Sequence, residues 1–557
     1  MPLVNMSIQQ LVAVQSQDEF TQAQFHGYTG MLRRNKNFTK HWKAQNPEEI
    51  TKFEDYESIF KEFRDNLASS GSSGPYRFVS NVEPFRNILT DWREDDMFVE
   101  QRLSGCNPLV IRRVTEDSSN VGLKWSELSK TLNPNYNWEA AIQTAMGGDE
   151  PLEEAVKNQN VYVLRYEIFD DMISFPDVAD DRPGRTMWPS KSPIALFAVN
   201  RDKRLRAAAI QVDYKPDSPV FSPVDGGSWM MARLVVQATD YAHSQMIEHL
   251  LKVHLLAEPF CVVMQRQLSS QHPLNELLKY HCRGVMATNT LGSPSLITPD
   301  GYMDQLTAMG YKGTLLLLER GYKTLSWKDT DFHLDIMKRG LDNKEKLPYF
   351  PYRDDSNLLL MTIKRMVVDY IYVFYRGDHD VQQDTELQAF VNELSAQGTG
   401  PDGGRGQVKD LPAVLRTKEE VIDVVSRLIW LMSVRHSAVN YPVSDYGAFT
   451  PVLPTKVYND SSVPPGTFSV LNLPNVDISL SQIEVAMNVG TYHYDELFDY
   501  FEKLKNPSGR KVVRFYYYYL KYAVSPRLKY RNYRRSKGGH LTYPYLQHSW
   551  LPNGIQT

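Results

Sequence analysis

The sequence predicts a mainly α protein, one large helical domain with a minor antiparallel β element. Three observations carry this. Apolar positions recur at three- and four-residue spacings over residues 229–285, 356–376 and 416–436, as on the buried face of a helix. Strand-like text is confined to a short stretch ahead of these segments. Finally, 557 residues with 42% hydrophobic and 23% charged side chains make an ordinary globular composition that can bury a large core.

From the start of the chain, residues 1–54 read as a charged helical extension, and residues 55–557 as one domain. The opening "MPLVNMSIQQLVAVQSQDEF" has neither a basic segment nor a long apolar one, so no signal peptide is expected. No run approaches ~18 uncharged apolar residues, so no transmembrane helix is expected. A cytoplasmic protein follows, with peripheral membrane contact left open. "SSGSSGPY" (69–76) and "GTGPDGGRG" (398–406) have the Gly/Ser/Pro content of surface loops. "VYVLRYEIF" (161–169), "IALFAVN" (194–200) and "LRAAAIQVDY" (205–214) read as neighbouring antiparallel strands. Near the end, "RFYYYYLKYAV" reads as an aromatic-packed helix. The basic "RLKYRNYRRSKGGH" (527–540) reads as a solvated helix end, or as a contact for an anionic surface.

Charge and cysteine content narrow the function classes. With 62 basic and 66 acidic residues the net charge is −4, which argues against a nucleic-acid-binding protein. Three cysteines, Cys106, Cys261 and Cys282, are too few for a disulfide scaffold, and Cys282 reads as a small buried hydrophobe.

The chemistry lies in two histidine motifs. His249 and His254 are five apart in "MIEHLLKVHLLAEPF"; His436 and Asn440 are four apart in "VRHSAVNYP", far downstream. Imidazole suits iron, zinc, copper or nickel. Residues five apart on an ideal α-helix diverge by roughly 140°. His249 and His254 can therefore share a metal only across a widened turn, which a π-bulge supplies. His436 and Asn440 share a helix face without help. Alone, the first pair is a weak signal and reads more readily as two core histidines satisfied by hydrogen bonds than as ligands.

The surroundings of the pair decide between these readings. Trp229, Ala232, Arg233, His249, His254, His272, Pro273, Leu277, Leu278 and His281 fill, in order, a pattern that resembles the iron-helix signature of lipoxygenases. "DYESIFKEF", "DDMFVEQRLSGCNPLVIRR", "PYRDD", "VVDYIYVFYRGDHDVQQDTELQAFVNE", "HSAVN" and the closing "YPYLQHSWLPNGIQT" are similar to further segments of that family, from about residue 55 to the last. The residues before this match leave no room for the family's usual N-terminal β-barrel, so the chain resembles the compact, mostly microbial members.

The resemblance implies a non-haem iron, with manganese possible, held by His249, His254, His436, Asn440 and the terminal carboxylate of Thr557. It implies a dioxygenase that takes a hydrogen atom from the CH2 between two cis double bonds of a polyunsaturated fatty acid, of linoleate or arachidonate type, and adds O2 to give a hydroperoxide. Two alternatives stay open: the same fold acting as a fatty acid hydroperoxide isomerase or hydroperoxidase, and a catalytically silent lipid-binding relative. The resemblance also places Gly292 where small residues influence the face and depth of oxygen addition; the same glycine reads as a turn residue beside Pro294. Leu296 would clamp the substrate; Leu250 and Leu255, which flank the paired histidines, read as lining the same channel or equally as plain core on a buried helix. His272 and His281 match positions that are not ligands and are assigned structural hydrogen bonds.

Two positions depart from the family pattern. Thr557 stands where Ile is usual. Val443 stands where a Gln commonly links the Asn ligand to a Gln on the first ligand helix, matched here by Gln245. The fatty acid, the position and face of oxygenation, and the oligomeric state are not readable in the sequence.

Overall fold

The computed structural model describes residues 19–46, 49–70, 88–175, 184–396 and 408–557. Both expected linkers fall largely outside them. Ser69 and Ser70 close a helix (Phe53–Ser70), and residues 71–76 and 398–406 lie in undescribed stretches. The second stretch is flanked by a bridge between Ser395 and Val408, which holds its two ends together.

The longest buried element explains itself residue by residue. A reciprocal Ser222/Asp225 capping box closes the turn that leads into it, satisfying backbone donors that a helix start leaves free. The chain then runs as α-helix (Gly226–His243), π-helix (Ser244–Leu255) and α-helix again (Leu256–Gln267). Apolar side chains cover most of its circumference, the pattern of a helix enclosed by protein. The helical periodicity read over 229–285 is interrupted at Leu268, which is extended. A short helix (Pro273–Leu278) restarts with the His272 side chain accepting from the Leu274 N–H.

A second long helix begins at a Thr417/Glu420 capping box. It passes from α (Lys418–Trp430) to π (Leu431–Arg435) and back to α (His436–Asn440), and tightens into a 3-10 turn (Tyr441–Ser444) that contains Pro442. The helices over Pro351–Phe374 and Pro507–Tyr519 match the remaining helical text.

The three expected strands are Val161–Arg165, Ile194–Val199 and Leu205–Gln211, adjacent and antiparallel, with a bulge at Leu196/Phe197. Val220–Phe221 extends one side of the sheet. Arg112–Thr115 extends the other and pairs in parallel with Leu123–Lys124, so the sheet has six strands and is not wholly antiparallel.

The amino-terminal helix (Glu19–Gln45) packs on the helix Val476–Gly490. Asn35 bonds Asn488, the Thr39 hydroxyl donates to Glu484 at 3.0 Å, and Lys43 pairs with Asp477.

Cys261 and Cys282 correct the cysteine reading. Both are buried, but they are joined in a disulfide that ties the first long helix to the segment after His281; Cys106 is the free, buried one. Sequence spacing gave no sign of the pair, because the intervening turn at Leu268–His272 is what brings the two sulfurs together.

Residues 541–557 run through the interior, nearly all of them buried. Gly554 crosses the His281 carbonyl so closely that a Cβ there would sit 2.0 Å from its oxygen, so only glycine fits. No described helix is long and apolar enough to cross a membrane.

Candidate functional site

The two π segments are where the histidines meet. Widening the first helix over Ser244–Leu255 turns His249 and His254 to the same side, their Nε2 atoms 3.0 Å apart. The second π segment ends at Arg435, immediately before His436, and delivers that ring to the same place. Ring centroids stand 4.7, 5.0 and 5.3 Å apart, and one nitrogen from each ring lies within 4.8 Å of the others.

Hydrogen bonds fix which nitrogens face inward. Gln245 donates through Nε2 to Ser244 Oγ, leaving its Oε1 to accept from His249 Nδ1 at 3.3 Å. Asn289 donates through Nδ2 to Glu258, leaving its Oδ1 to accept from His254 Nδ1 at 2.9 Å. An amide oxygen only accepts, so each Nδ1 carries the proton and each Nε2 presents a lone pair. Burial holds all three imidazoles neutral: His254 is pushed down to about 4, and His249 and His436 lie well below the ordinary value, with the neighbouring rings adding to the effect.

Two bare nitrogens 3.0 Å apart repel one another unless a cation lies between them. The surroundings fit the same occupant. The Asn440 Oδ1 is buried without a hydrogen-bond partner, an omission that costs about 1–3 kcal/mol and that a cation would offset. The Thr557 main-chain oxygen lies 3.3 Å from His436 Nε2. Imidazole nitrogens with amide and carboxylate oxygens are a borderline donor set that suits iron.

Thr557 is 4% exposed and its hydroxyl is fully used. It donates to the Val489 carbonyl at 2.8 Å and accepts from Asn440 Nδ2 at 3.2 Å; Asn440 Nδ2 also reaches Val489 O at 2.9 Å. Both amide hydrogens are thereby engaged, which leaves Oδ1 as the group's buried, unpaired atom. Gln245 does not reach Asn440, and Val443 is a buried apolar residue.

Sequence reasoning missed three contributors. Asn289 orients His254; its only sequence sign is its place three residues before Gly292. Glu248, immediately before His249, meets Arg435 at 2.8 Å, both almost fully buried, which clamps the two histidine-bearing helices together. Lys252 and Arg435 hold the Glu248 carboxyl down to about 2 despite burial. Removing one partner of such a buried pair costs about 3–5 kcal/mol. The third contributor is the amino-terminal helix, described next.

Beside the histidines opens a mostly apolar cavity of about 480 Å³. Gln245, Leu250, Gly292 and Leu296 line it together with His249, His254 and Thr557. Leu255 does not; it packs half-buried against the main core instead. Leu32, Arg33 and Lys36 of the amino-terminal helix form part of the wall. His272 and His281 stand outside the cluster. His272 bonds Asp384 at 2.9 Å, and His281 bridges the Asn553 carbonyl at 2.6 Å and the Tyr500 hydroxyl at 2.8 Å.

Fold and site together define a helical protein with a buried three-imidazole centre opening on an apolar chamber. The family model described as Lipoxygenase matches residues 3–465, and the chain belongs to the lipoxygenase family, whose members use non-haem iron. The match includes residues before 55, where the sequence reading had set an extension apart, and it stops short of Thr557. An allene oxide synthase-lipoxygenase protein from Plexaura homomalla is 29% identical over 383 residues, 66% of this chain and 34% of that one. A linoleate 9/13-lipoxygenase from Pseudomonas aeruginosa is 28% identical over 456 residues, 78% of this chain and 62% of that one. The chain thus spans a third to under two thirds of these relatives. The crystal structure of a coral 8R-lipoxygenase superposes with a TM-score of 0.73 at 25% identity, covering 92% of this chain and 71% of that one.

Proposed function

We propose that the protein is a dioxygenase that converts a polyunsaturated fatty acid and O2 into a fatty acid hydroperoxide. The observation that carries this is the convergence of three neutral, buried imidazoles at the end of an apolar chamber of a size to hold a small-molecule ligand. His249, His254 and His436, with Asn440 Oδ1 and the Thr557 carboxylate, would hold the metal, for which iron is proposed and manganese is the alternative. When bound, it supplies the one-electron chemistry for removing a hydrogen atom from a CH2 between two double bonds.

The rest falls to the chain. Leu250, Leu296 and Val485 offer the hydrocarbon an apolar wall and keep water from it. Gly292 leaves an open volume for O2 beside that wall. Arg33 and Lys36, both exposed on the amino-terminal helix, stand where a carboxylate end would be neutralised. Among acidic groups on the lining, Glu484 is already engaged by Thr39 and Tyr302.

The test measures metal content and conjugated-diene formation from linoleate and arachidonate. Wild type should hold one metal per chain and form diene; His254→Ala and His436→Ala should lose both. Full metal occupancy in both variants would refute the site. A metal-loaded wild type that leaves fatty acids untouched but consumes their hydroperoxides would refute the reaction and favour the isomerase reading. A Gly-Ser extension after Thr557 turns its carboxylate into an amide and should lower metal content.

A further inference from the structure

The segment 507–540 contains ten lysines and arginines and no aspartate or glutamate, in a chain whose net charge is −4. It forms one unbroken helix, α over Pro507–Tyr519, π over Leu520–Val524 and α over Ser525–Lys537, about 45 Å long at 1.5 Å per residue. Its inner side is accounted for. Val513, Leu520, Val524 and Leu528 are buried, and Arg531 and Arg535 both reach the fully buried Asp355.

Its outer side is not. Lys511, Lys521, Arg527, Lys529, Arg534 and Lys537 are exposed and make no ion pair among the described residues. Between them stand Phe515, Tyr518, Tyr522, Tyr530 and Tyr533, from 39% to 68% exposed; these are five of the fourteen large hydrophobic side chains the described surface exposes, gathered on one helix. Tyr518 stacks on Tyr522 at 5.9 Å and Tyr530 on Tyr533 at 6.5 Å, so the rings form a preset layer.

We propose that this outer face docks the protein on an anionic membrane surface. Rings with an apolar body and a polar edge settle at the headgroup level, and lysine and arginine beside them meet lipid phosphates. Each cation near such a surface strengthens binding roughly five-fold. A single-stranded nucleic acid also offers phosphates and rings, but its binders cradle the backbone in a groove. Here the cations are strung along a single surface helix, with only a shallow, open hollow beside Lys511 and Arg514, and the tyrosines are already stacked on each other. This inference does not rest on the proposed reaction, because docking is read without turnover.

The test is co-sedimentation of the full chain with vesicles of phosphatidylcholine alone and of phosphatidylcholine mixed with phosphatidylglycerol. Binding should require the anionic lipid and fall as salt rises. The combined variant K521Q/K529Q/R534Q/K537Q should bind roughly several hundred-fold more weakly, and F515S/Y518S/Y522S should lose whatever binding survives high salt. Thermal melts check that both variants fold, and the wild-type salt titration gives the same reading without substitutions. Equal binding to both vesicle types, no binding to either, or variants that bind like wild type would each overturn the proposal. Binding of single-stranded RNA in place of vesicles would overturn it in favour of a nucleic-acid partner.

Discussion

The hydroxyl of Thr557 gives a residue-level account of both departures from the family pattern. A threonine at a buried end would be costly if its hydroxyl were unpaired. Here it donates to Val489 O and accepts from Asn440 Nδ2, taking over the orientation of Asn440 that Val443 cannot provide. Thr557→Val keeps the shape and removes the hydroxyl, so metal should leave about 10–100-fold faster, the usual cost of an outer partner. Thr557→Ser should hold metal as wild type does. Equal release rates for the valine and serine variants, followed by chelator competition, would show that the hydroxyl has no orienting role. At Gly292 an added Cβ would meet only Leu296 Cδ1, at 3.7 Å, an ordinary contact in a helix that tolerates alanine. Gly292→Ala should therefore fold as well as wild type while shifting the R/S ratio or the position of oxygenation. An unchanged product on chiral chromatography would remove Gly292 as a determinant.

At the level of elements, the two π segments decide whether a site exists. The five-residue spacing of His249 and His254 demanded a widened turn, and the structure has one. The counterpart before His436 had no such sign, because His436 and Asn440 are satisfied by ordinary helix geometry. The amino-terminal helix shows the opposite case. Its charged, helical text was legible, yet nothing local says that Leu32, Arg33 and Lys36 wall a cavity beside residues 250 to 300. That contact is made across the chain by Asn35 and Asn488, and by Thr39 and Glu484. It yields a prediction: R33Q/K36Q should raise KM for a free fatty acid about two- to ten-fold, in line with exposed ion pairs, and leave the methyl ester unaffected. Equal effects on acid and ester would mean that the helix shapes the chamber without reading the carboxylate.

For the whole molecule, stability depends on how the interior holds the final segment. Asp495 accepts from the Asn553 N–H and from Gln556, and Asp499 accepts from Asn553 Nδ2 at 2.7 Å. Burial, with Asp499 beside it, pushes the Asp495 carboxyl from 3.8 up to about 7. A carboxyl whose folded pKa is raised binds more protons folded than unfolded between those two values, so its contribution to stability falls as pH rises from about 4 to about 7 and is constant above. Asp495→Asn keeps an acceptor oxygen and cannot ionise. Its melting temperature minus that of wild type should therefore climb by a few degrees across that window. A difference that stays flat with pH would show that the pair does not titrate there.

The sequence by itself determined what short-range periodicity and residue chemistry can encode. The helical class follows from apolar spacing and the three core strands from alternation and β-branched text; the histidine and asparagine candidates lie in motifs within single helices, which the family resemblance marks as ligands. Only the tertiary structure decided which distant segments complete the site. The Glu248–Arg435 clamp, the Asn289 bond to His254, the Cys261–Cys282 disulfide, the amino-terminal wall and the path of residues 541–557 past His281 are all contacts between parts of the chain far apart or turned about a loop. Such contacts have no period along the chain. They exist because burying one face of each helix fixes which of its remaining side chains meet, and that depends on every helix at once.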